Sequence, residues 1–350
     1  MHMADALISP AVGGVMWAAS AGLIGYSCKK VKEAADDRKI PLMGVLGAFI
    51  FASQMINFTI PATGSSGHLG GGMILSILLG PYAAFLVMAS VLVVQSLFFA
   101  DGGLLALGCN IFNLGFFSCF VAYPLIYRKI VGDNPVQGKI MTGSILAAVI
   151  GLQLGAFGVV IETVFSGISE LPFGTFVLLM QPIHLAIGIV EGLVTAAVVA
   201  FVWKTRPEIL DAAVNLLPLG KIDLRKVLIG LLVTAVVVGG ALSWFASENP
   251  DGLEWAMFKT SGKEELESRG KVHSSLSAIQ EKTAFLPDYG FKKSEHIPEA
   301  ETKNEPETSP AEKWPAVDAG TSVSGLVGGV LTITIAFLLG FLLKRRKSAA

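Results

Sequence analysis

The feature that most limits the fold is a recurring unit. An apolar run of about twenty residues, long enough to cross a hydrocarbon layer of roughly 30 Å as a helix, is closed at alternate ends by lysines and arginines. The first run, residues 10–28, ends in Lys29-Lys30-Val31-Lys32, with Arg38 and Lys39 beyond it. A second covers 41–58. After Gly70-Gly71-Gly72 a short apolar piece reaches Leu79 and is broken by Gly80-Pro81; such a piece crosses only with local thinning or help from neighbours. Runs at 82–99, 104–127, 140–165 and 176–203 complete a core of seven spans, and 227–245 and 323–343 add two more. Basic residues collect at Tyr127-Arg128-Lys129, at Lys204, Arg206, Lys221, Arg225 and Lys226, and at Lys344-Arg345-Arg346-Lys347. Since cytoplasmic loops carry the excess of Lys and Arg, the N-terminus is expected outside and the C-terminus inside. Lipid offers no partner for backbone N–H and C=O groups, so the expected class is an all-α polytopic membrane protein.

Composition agrees. Apolar residues make up 53% of the chain and charged residues 15%, against roughly 25% charged in an average soluble domain. The net charge of -1 removes the electrostatic case for nucleic acid. Cys28, Cys109 and Cys119 lie in or beside apolar runs, an odd set with no paired spacing, and read as small core hydrophobes. Asp5 is the only charged side chain before the first run, so the start lacks the basic region of a cleaved signal. Residues 247–322 are polar and expected outside the membrane, with 295–315 as linker. The organisation read from these shifts is a membrane core at 1–204, a cytoplasmic linker at 205–226, and a region at 227–350 whose two helices flank the extracytoplasmic segment.

The chemistry concentrates at two distant places. Met1-His2 offers the terminal amine, the deprotonated His2 amide and one His2 ring nitrogen in a single chelate. A fourth nitrogen from His68 would complete a planar site of the kind that suits Ni(II) or Cu(II), and sometimes Co(II), rather than Zn(II) or Mg(II). Two crossings bring both parts to the same side. Alone, His2 is as readily an idle surface residue, and His68, among Gly64, Gly67 and Gly70, as readily a turn residue.

The quoted residues also carry a resemblance. Met1-His2-Met3-Ala4-Asp5, the stretch from Asn57-Phe58 through Ser65-Ser66-Gly67-His68-Leu69-Gly70-Gly71, Phe98-Phe99-Ala100-Asp101-Gly102-Gly103-Leu104 and Asn110-Ile111-Phe112-Asn113 resemble the CbiM/NikM family over residues 1–204. These are the substrate-capture subunits, or S components, of energy-coupling-factor ABC transporters for cobalt and nickel. Asn249-Pro250-Asp251-Gly252-Leu253-Glu254 and Pro287-Asp288-Tyr289-Gly290-Phe291 resemble the companion CbiN/NikN subunit, so the chain looks like a fusion of the two. The resemblance implies that Met1, His2 and His68 bind the metal. It also implies a transmembrane coupling subunit (EcfT/CbiQ/NikQ-like) and separate ABC ATPase subunits in a prokaryotic cell membrane, with cobalt uptake serving cobalamin synthesis. Many family members follow the histidine with a different sequence, whereas here Met3-Ala4-Asp5-Ala6-Leu7 follows, which weakens any inference about metal preference.

Polar residues within the apolar spans usually face the bundle. Asn57, Ser66, Gln95, Asn110 and Asn113 are expected to orient the ligands, while Gln181 and a local Glu191–His184 pair read more simply as helix-to-helix hydrogen bonding. Asp251 and Glu254 read as a helix start before they read as metal ligands. Ala18, Ala19, Ala21, Gly22 and Gly25 make the first span small-sided, suited to close approach of another helix.

No Gly-Lys pair, at Lys139, Lys221, Lys263 or Lys271, is followed by Ser or Thr, so the chain lacks a Walker loop and ATP hydrolysis would come from partners. The competing class is a gradient-driven secondary transition-metal transporter, which calls for an internal repeat and paired ionisable groups at mid-membrane. A membrane metalloenzyme would need a His-Glu-x-x-His motif or its equivalent, and none occurs. The expectation is a non-enzymatic, cofactor-free subunit that carries Ni2+ or Co2+, with intrinsic affinity favouring nickel.

Overall fold

The computed structural model describes residues 2–34, 36–132, 135–169, 171–262, 266, 270–292 and 314–343. Twelve helices follow in order: α1 (Pro10–Ala34), α2 (Lys39–Gln54), α3 (Gly72–Leu79), α4 (Pro81–Phe99), α5 (Leu107–Val131), α6 (Gln137–Ser166), α7 (Phe173–Thr205), α8 (Pro207–Val214), α9 (Arg225–Gly240), α10 (Gly252–Ser261), α11 (Lys271–Thr283) and α12 (Ala319–Leu343). Among the described residues six of them, α1, α4, α5, α6, α7 and α12, are long and apolar enough to cross a membrane.

Every segment read as a span is helical, but three are short. α2 and α9 have 16 residues each and α3 has eight, which at 1.5 Å per residue gives α3 a length of about 12 Å. Chain chemistry sets these limits. Gly71 and Gly80 take φ of +78° and +80° at the two ends of α3, and Pro81 opens α4 at its first turn, where a missing N–H is harmless. In α5 the turns widen to i→i+5 bonding through Phe112–Tyr127, a rare geometry that recurs at functional sites.

α4 is the centre of the bundle, with Phe85, Val87, Met88 and Val91 fully buried. α1 and α12 lie at the margin and leave most of their apolar surface outward, as lipid contact requires. The small residues of α1 look outward too. A methyl added at Gly14, Gly22 or Gly25 would meet nothing within 4 Å.

α9 and α12 dock on α2 by close backbone approach. A methyl built on Gly239 would lie 3.2 Å from the Gly325 Cα and 3.3 Å from the Ala52 Cβ, the small-residue packing that replaces hydrophobic driving force inside lipid. Gly325→Leu is therefore expected to wedge α12 from α9 and destabilise the fold by about 1–3 kcal/mol, read as a lowered thermal midpoint in detergent.

Local structure goes beyond the sequence reading in three places and bears out the helix-start reading of Asp251 and Glu254. Among the described residues the regular structure other than helix is a small antiparallel hairpin, β1 (Phe58–Ile60) with β2 (Ser65–Gly67), where Ile60 pairs with Ser65 and Phe58 with Gly67; β-branched Thr59 and Ile60 favour strand, and Gly64 at φ +73° makes the turn. Residues 205–226, read as linker, contain α8, whose Ile209, Leu210, Ala212 and Ala213 are buried. The polar segment after α9 is folded around α10 and α11, and Asp251 and Glu254 form a full capping box on α10. The linker reading of 295–315 falls largely on residues outside the described ones.

Candidate metal centre at the ligand loops

From His2 the chain runs into the bundle as an extended segment with one tight turn at Asp5–Leu7, and Met3, Leu7 and Ile8 are fully buried. Buried backbone must be bonded, and here it is. Asn110 accepts from Met3 N at 2.8 Å and donates to Met3 O at 3.2 Å, Gly103 N donates to Met3 O at 2.9 Å, and Ala106 N donates to the Asp5 carboxylate at 2.9 Å. Gly102, at φ +81°, sits where a side chain would press on the Asn110 amide, and a Cβ at Gly103 would overlap the Asp5 carboxylate. The Asp101-Gly102-Gly103 turn thus lets the N-terminal segment lie flush.

The His68 loop enters the same end of the bundle, with residues 65–72 all buried. Buried irregular backbone survives only where protein satisfies it, and two side chains do so, one of them braced by a third. The Glu191 carboxyl group accepts from Gly70 N at 2.7 Å and Gly71 N at 3.1 Å, while Gln54 donates to Gly70 O at 2.8 Å and receives from Gln95 at 2.9 Å.

These two scaffolds bring the imidazoles of His2 and His68 together as parallel rings, 4.9 Å between centroids and 6° apart in plane. His68 turns its Nδ1 to Leu69 O at 3.1 Å, and in that donating tautomer the lone pair is on Nε2. His2 Nδ1 lies 3.0 Å from Asp101 Oδ1, and His2 Nε2 is buried without a hydrogen-bond partner. An oriented ring with a carboxylate or carbonyl on its far nitrogen is the usual form of a metal-binding histidine. Burial, with His2 beside it, pushes the His68 pKa down to about 3 and so keeps the ring neutral. Asp101 is held below the usual carboxylate range: burial alone would raise it, and the facing His2 ring and the Tyr289 hydroxyl outweigh that. Tyr289, itself raised by burial and by Asp101, stays a hydroxyl that donates to Asp101 Oδ2.

Above the rings lies a cavity of about 510 Å³, bordered by His2, Asn57, His68, Asp101, Asp251 and Tyr289 among others. The segment after α9 forms its roof. Ser66 N donates to Pro250 O at 2.8 Å, Trp255 Nε1 to Thr63 O at 3.0 Å, and Gln280 to Gly102 O at 2.8 Å, and His273 Nε2 meets Ile8 O at 2.9 Å. Both ligand-bearing segments are thereby strapped by the second half of the chain.

Of the residues read from sequence, His2 and His68 meet and Met1 lies outside the described residues. Among the described residues no three His, Cys, Asp or Glu side chains are grouped to hold a metal. The five expected supporting residues have mixed placements. Asn110 grips Met3, Gln95 acts through Gln54, and Ser66 ties β2 to Asn249 O at 2.7 Å. Asn113 donates to Glu162 at 2.7 Å and approaches the Met3 sulfur, while Asn57 borders the cavity. Gln181 bonds the neighbouring helix, exchanging contacts with Gln153. Asp101 and Tyr289 are the supports that the sequence reading misses. The Glu191–His184 pairing is replaced: two helical turns, roughly 10 Å, separate the residues along α7, so Glu191 reaches the Gly70-Gly71 amides while His184 turns its Nδ1 to Met180 O.

Six helices long and apolar enough to cross a membrane, with two histidines converging beneath a folded roof, describe a multi-pass membrane protein. Residues 2–209 match the family described as CbiM, cobalt uptake substrate-specific transmembrane region, and residues 225–345 match the PDGLE domain. The chain belongs to the CbiM family and carries a NikN-like PDGLE region fused behind it. An Archaeoglobus fulgidus protein whose name describes a fused nickel transport protein, NikMN, is 29% identical over 97% of this chain and 98% of its own. A Haloquadratum walsbyi protein named as a metal transport protein is 35% identical over 60% of this chain and 93% of its own. A crystal structure of a truncated transition metal transporter matches with a TM-score of 0.53 at 31% identity, covering 59% of this chain and 99% of that one.

Proposed function

We propose that this protein is the substrate-binding subunit of an energy-coupling-factor importer, capturing Ni2+ or Co2+ outside the cell and passing it inward on ATP hydrolysis by partner subunits. The observation that carries this reading is the parallel His2–His68 pair, with the His68 ring oriented through its Nδ1. His2 would add its deprotonated amide and the Met1 amine, giving a planar nitrogen set suited to these ions. On this reading the cavity and its roof face outward and the basic loops inward, with the N-terminus outside, the C-terminus inside and nine crossings, of which α2, α3 and α9 are the short members. The outward small-residue face of α1 suits a coupling subunit in the membrane.

Binding displaces protons from the amine and the amide, so affinity should fall as pH falls; a Ni2+ titration at stepped pH, with proton release measured alongside, checks the sign. Glu191→Ala should loosen the His68 loop and weaken Ni2+ binding by about 10–100-fold, the usual effect of losing an outer support, with far-ultraviolet circular dichroism unchanged. Uptake into vesicles decides the energy source. Ni2+ entry that requires the coupling and ATPase subunits supports the proposal, and entry by this chain alone, driven by an ion gradient, overturns it.

A further inference from the structure

The helix that carries Glu191 and the first helix of the PDGLE region leave a gap between them. Arg206, just past α7, donates to Asp223 O at 2.8 Å, and a Cβ built on Gly230 of α9 would lie 3.0 Å from Phe201 Cζ of α7, so the two helices meet near their basic ends. From that meeting an open groove of about 570 Å³ runs between them, with α2 along its side. Its walls include Val190, Val194 and Phe201 of α7 and Gly230, Thr234 and Val238 of α9, and Leu69, the neighbour of His68, also borders it. Ser53 and Thr234 are the polar side chains on it, and each hydroxyl donates to its own helix, to Phe49 O at 2.7 Å and to Gly230 O at 2.8 Å. The side chains of the groove therefore offer a ligand apolar contact.

Two features identify the occupant. From Val190 to Phe201 the wall covers roughly 16 Å of α7, about half of the roughly 30 Å hydrocarbon layer and so the depth of one leaflet. One further turn along each wall brings a cation: Lys204 stands three positions beyond Phe201, and Lys226 four before Gly230. Residues three and four apart share a helix face, so both lysines extend the groove at the same end, and both are exposed. The Asp223 carboxylate is paired with Arg206 at 3.8 Å and leaves the lysines their charge. An apolar trough with cations at its mouth complements a phospholipid, which is hydrocarbon at one end and phosphate at the other. We propose that the groove seats one anionic phospholipid, its acyl chain between α7 and α9 and its phosphate at Lys204 and Lys226. In the orientation given above the lipid comes from the cytoplasmic leaflet.

Native mass spectrometry of the full chain in detergent, stripped of lipid and then titrated with phosphatidylglycerol or phosphatidylcholine, reads the site directly. The wild type should retain a single phosphatidylglycerol and prefer it to phosphatidylcholine. Lys204→Gln and Lys226→Gln should each weaken phosphatidylglycerol binding about fivefold, the share of one cation at a membrane surface, and leave phosphatidylcholine unchanged. Val194→Trp fills the trough and should abolish retention of either lipid, whereas Leu193→Trp, on the adjoining exposed face, should not. The lysine variants alter exposed positions, so they report even if the tryptophan variant fails to fold. Equal affinity of the wild type for the two lipids, unchanged preference in both lysine variants, or undiminished binding in Val194→Trp overturns the proposal. So does a dimer that Val194→Trp dissolves, which would make a second copy the occupant. Each reading is taken without Ni2+, so failure here leaves the capture reading standing.

Discussion

Replacing His68 with alanine is expected to abolish tight Ni2+ and Co2+ binding. The loss should exceed the roughly 10–100-fold that follows removal of an outer support, because a directly bound nitrogen disappears and nothing nearby substitutes. Among the described residues no third His, Cys, Asp or Glu is grouped with the pair. Leu69 O, now bonded to the His68 ring, would be left to solvent from the cavity, so the fold should persist. Isothermal titration with each ion, beside a thermal unfolding trace, measures both halves of the expectation. Retained affinity in the variant would remove His68 from the site.

The second large effect is expected at the other end of the chelate. One extra residue placed before Met1 turns the terminal amine into an amide and moves the new amine out of register, so a five-membered ring with the His2 amide is lost. Affinity should drop by about 100-fold or more, since the entropic advantage of joined donors disappears with it. His2 keeps its position in that variant, held through Met3 by Asn110 and Gly103. Metal content after purification, compared with the unextended chain, gives the answer, and equal content would refute the chelate.

The two histidines were legible because each stands in a short distinctive frame of its own, and the basic clusters pointed to which loops share a side. What it hid has a common cause. Asp101 and Tyr289 stand 188 positions apart, and no local pattern links a turn aspartate to a tyrosine in another region. Glu191 and His184 fall close in sequence, which invited a pairing, but a carboxyl group on one face of α7 meets whatever backbone lies opposite, here Gly70 and Gly71. The hairpin escaped notice because three-residue strands hold too few residues for an alternating pattern to appear. Span lengths were blurred for a different reason. Apolar composition continues through turns such as Met55-Ile56, beyond where α2 stops at Gln54, so hydropathy alone overestimates the helix.

The bond from Glu191 to the Gly70-Gly71 amides gives α7 a mechanical property. Thr205, the foot of this helix, is 14 positions from Glu191, roughly 21 Å along the axis. A rod of that length pivots rather than bends, so if partner subunits act on its lower end, as proposed above, the carboxyl group would swing and tug the loop bearing His68. Cargo gripped by that loop would feel the stroke as a pull on one of its bonds.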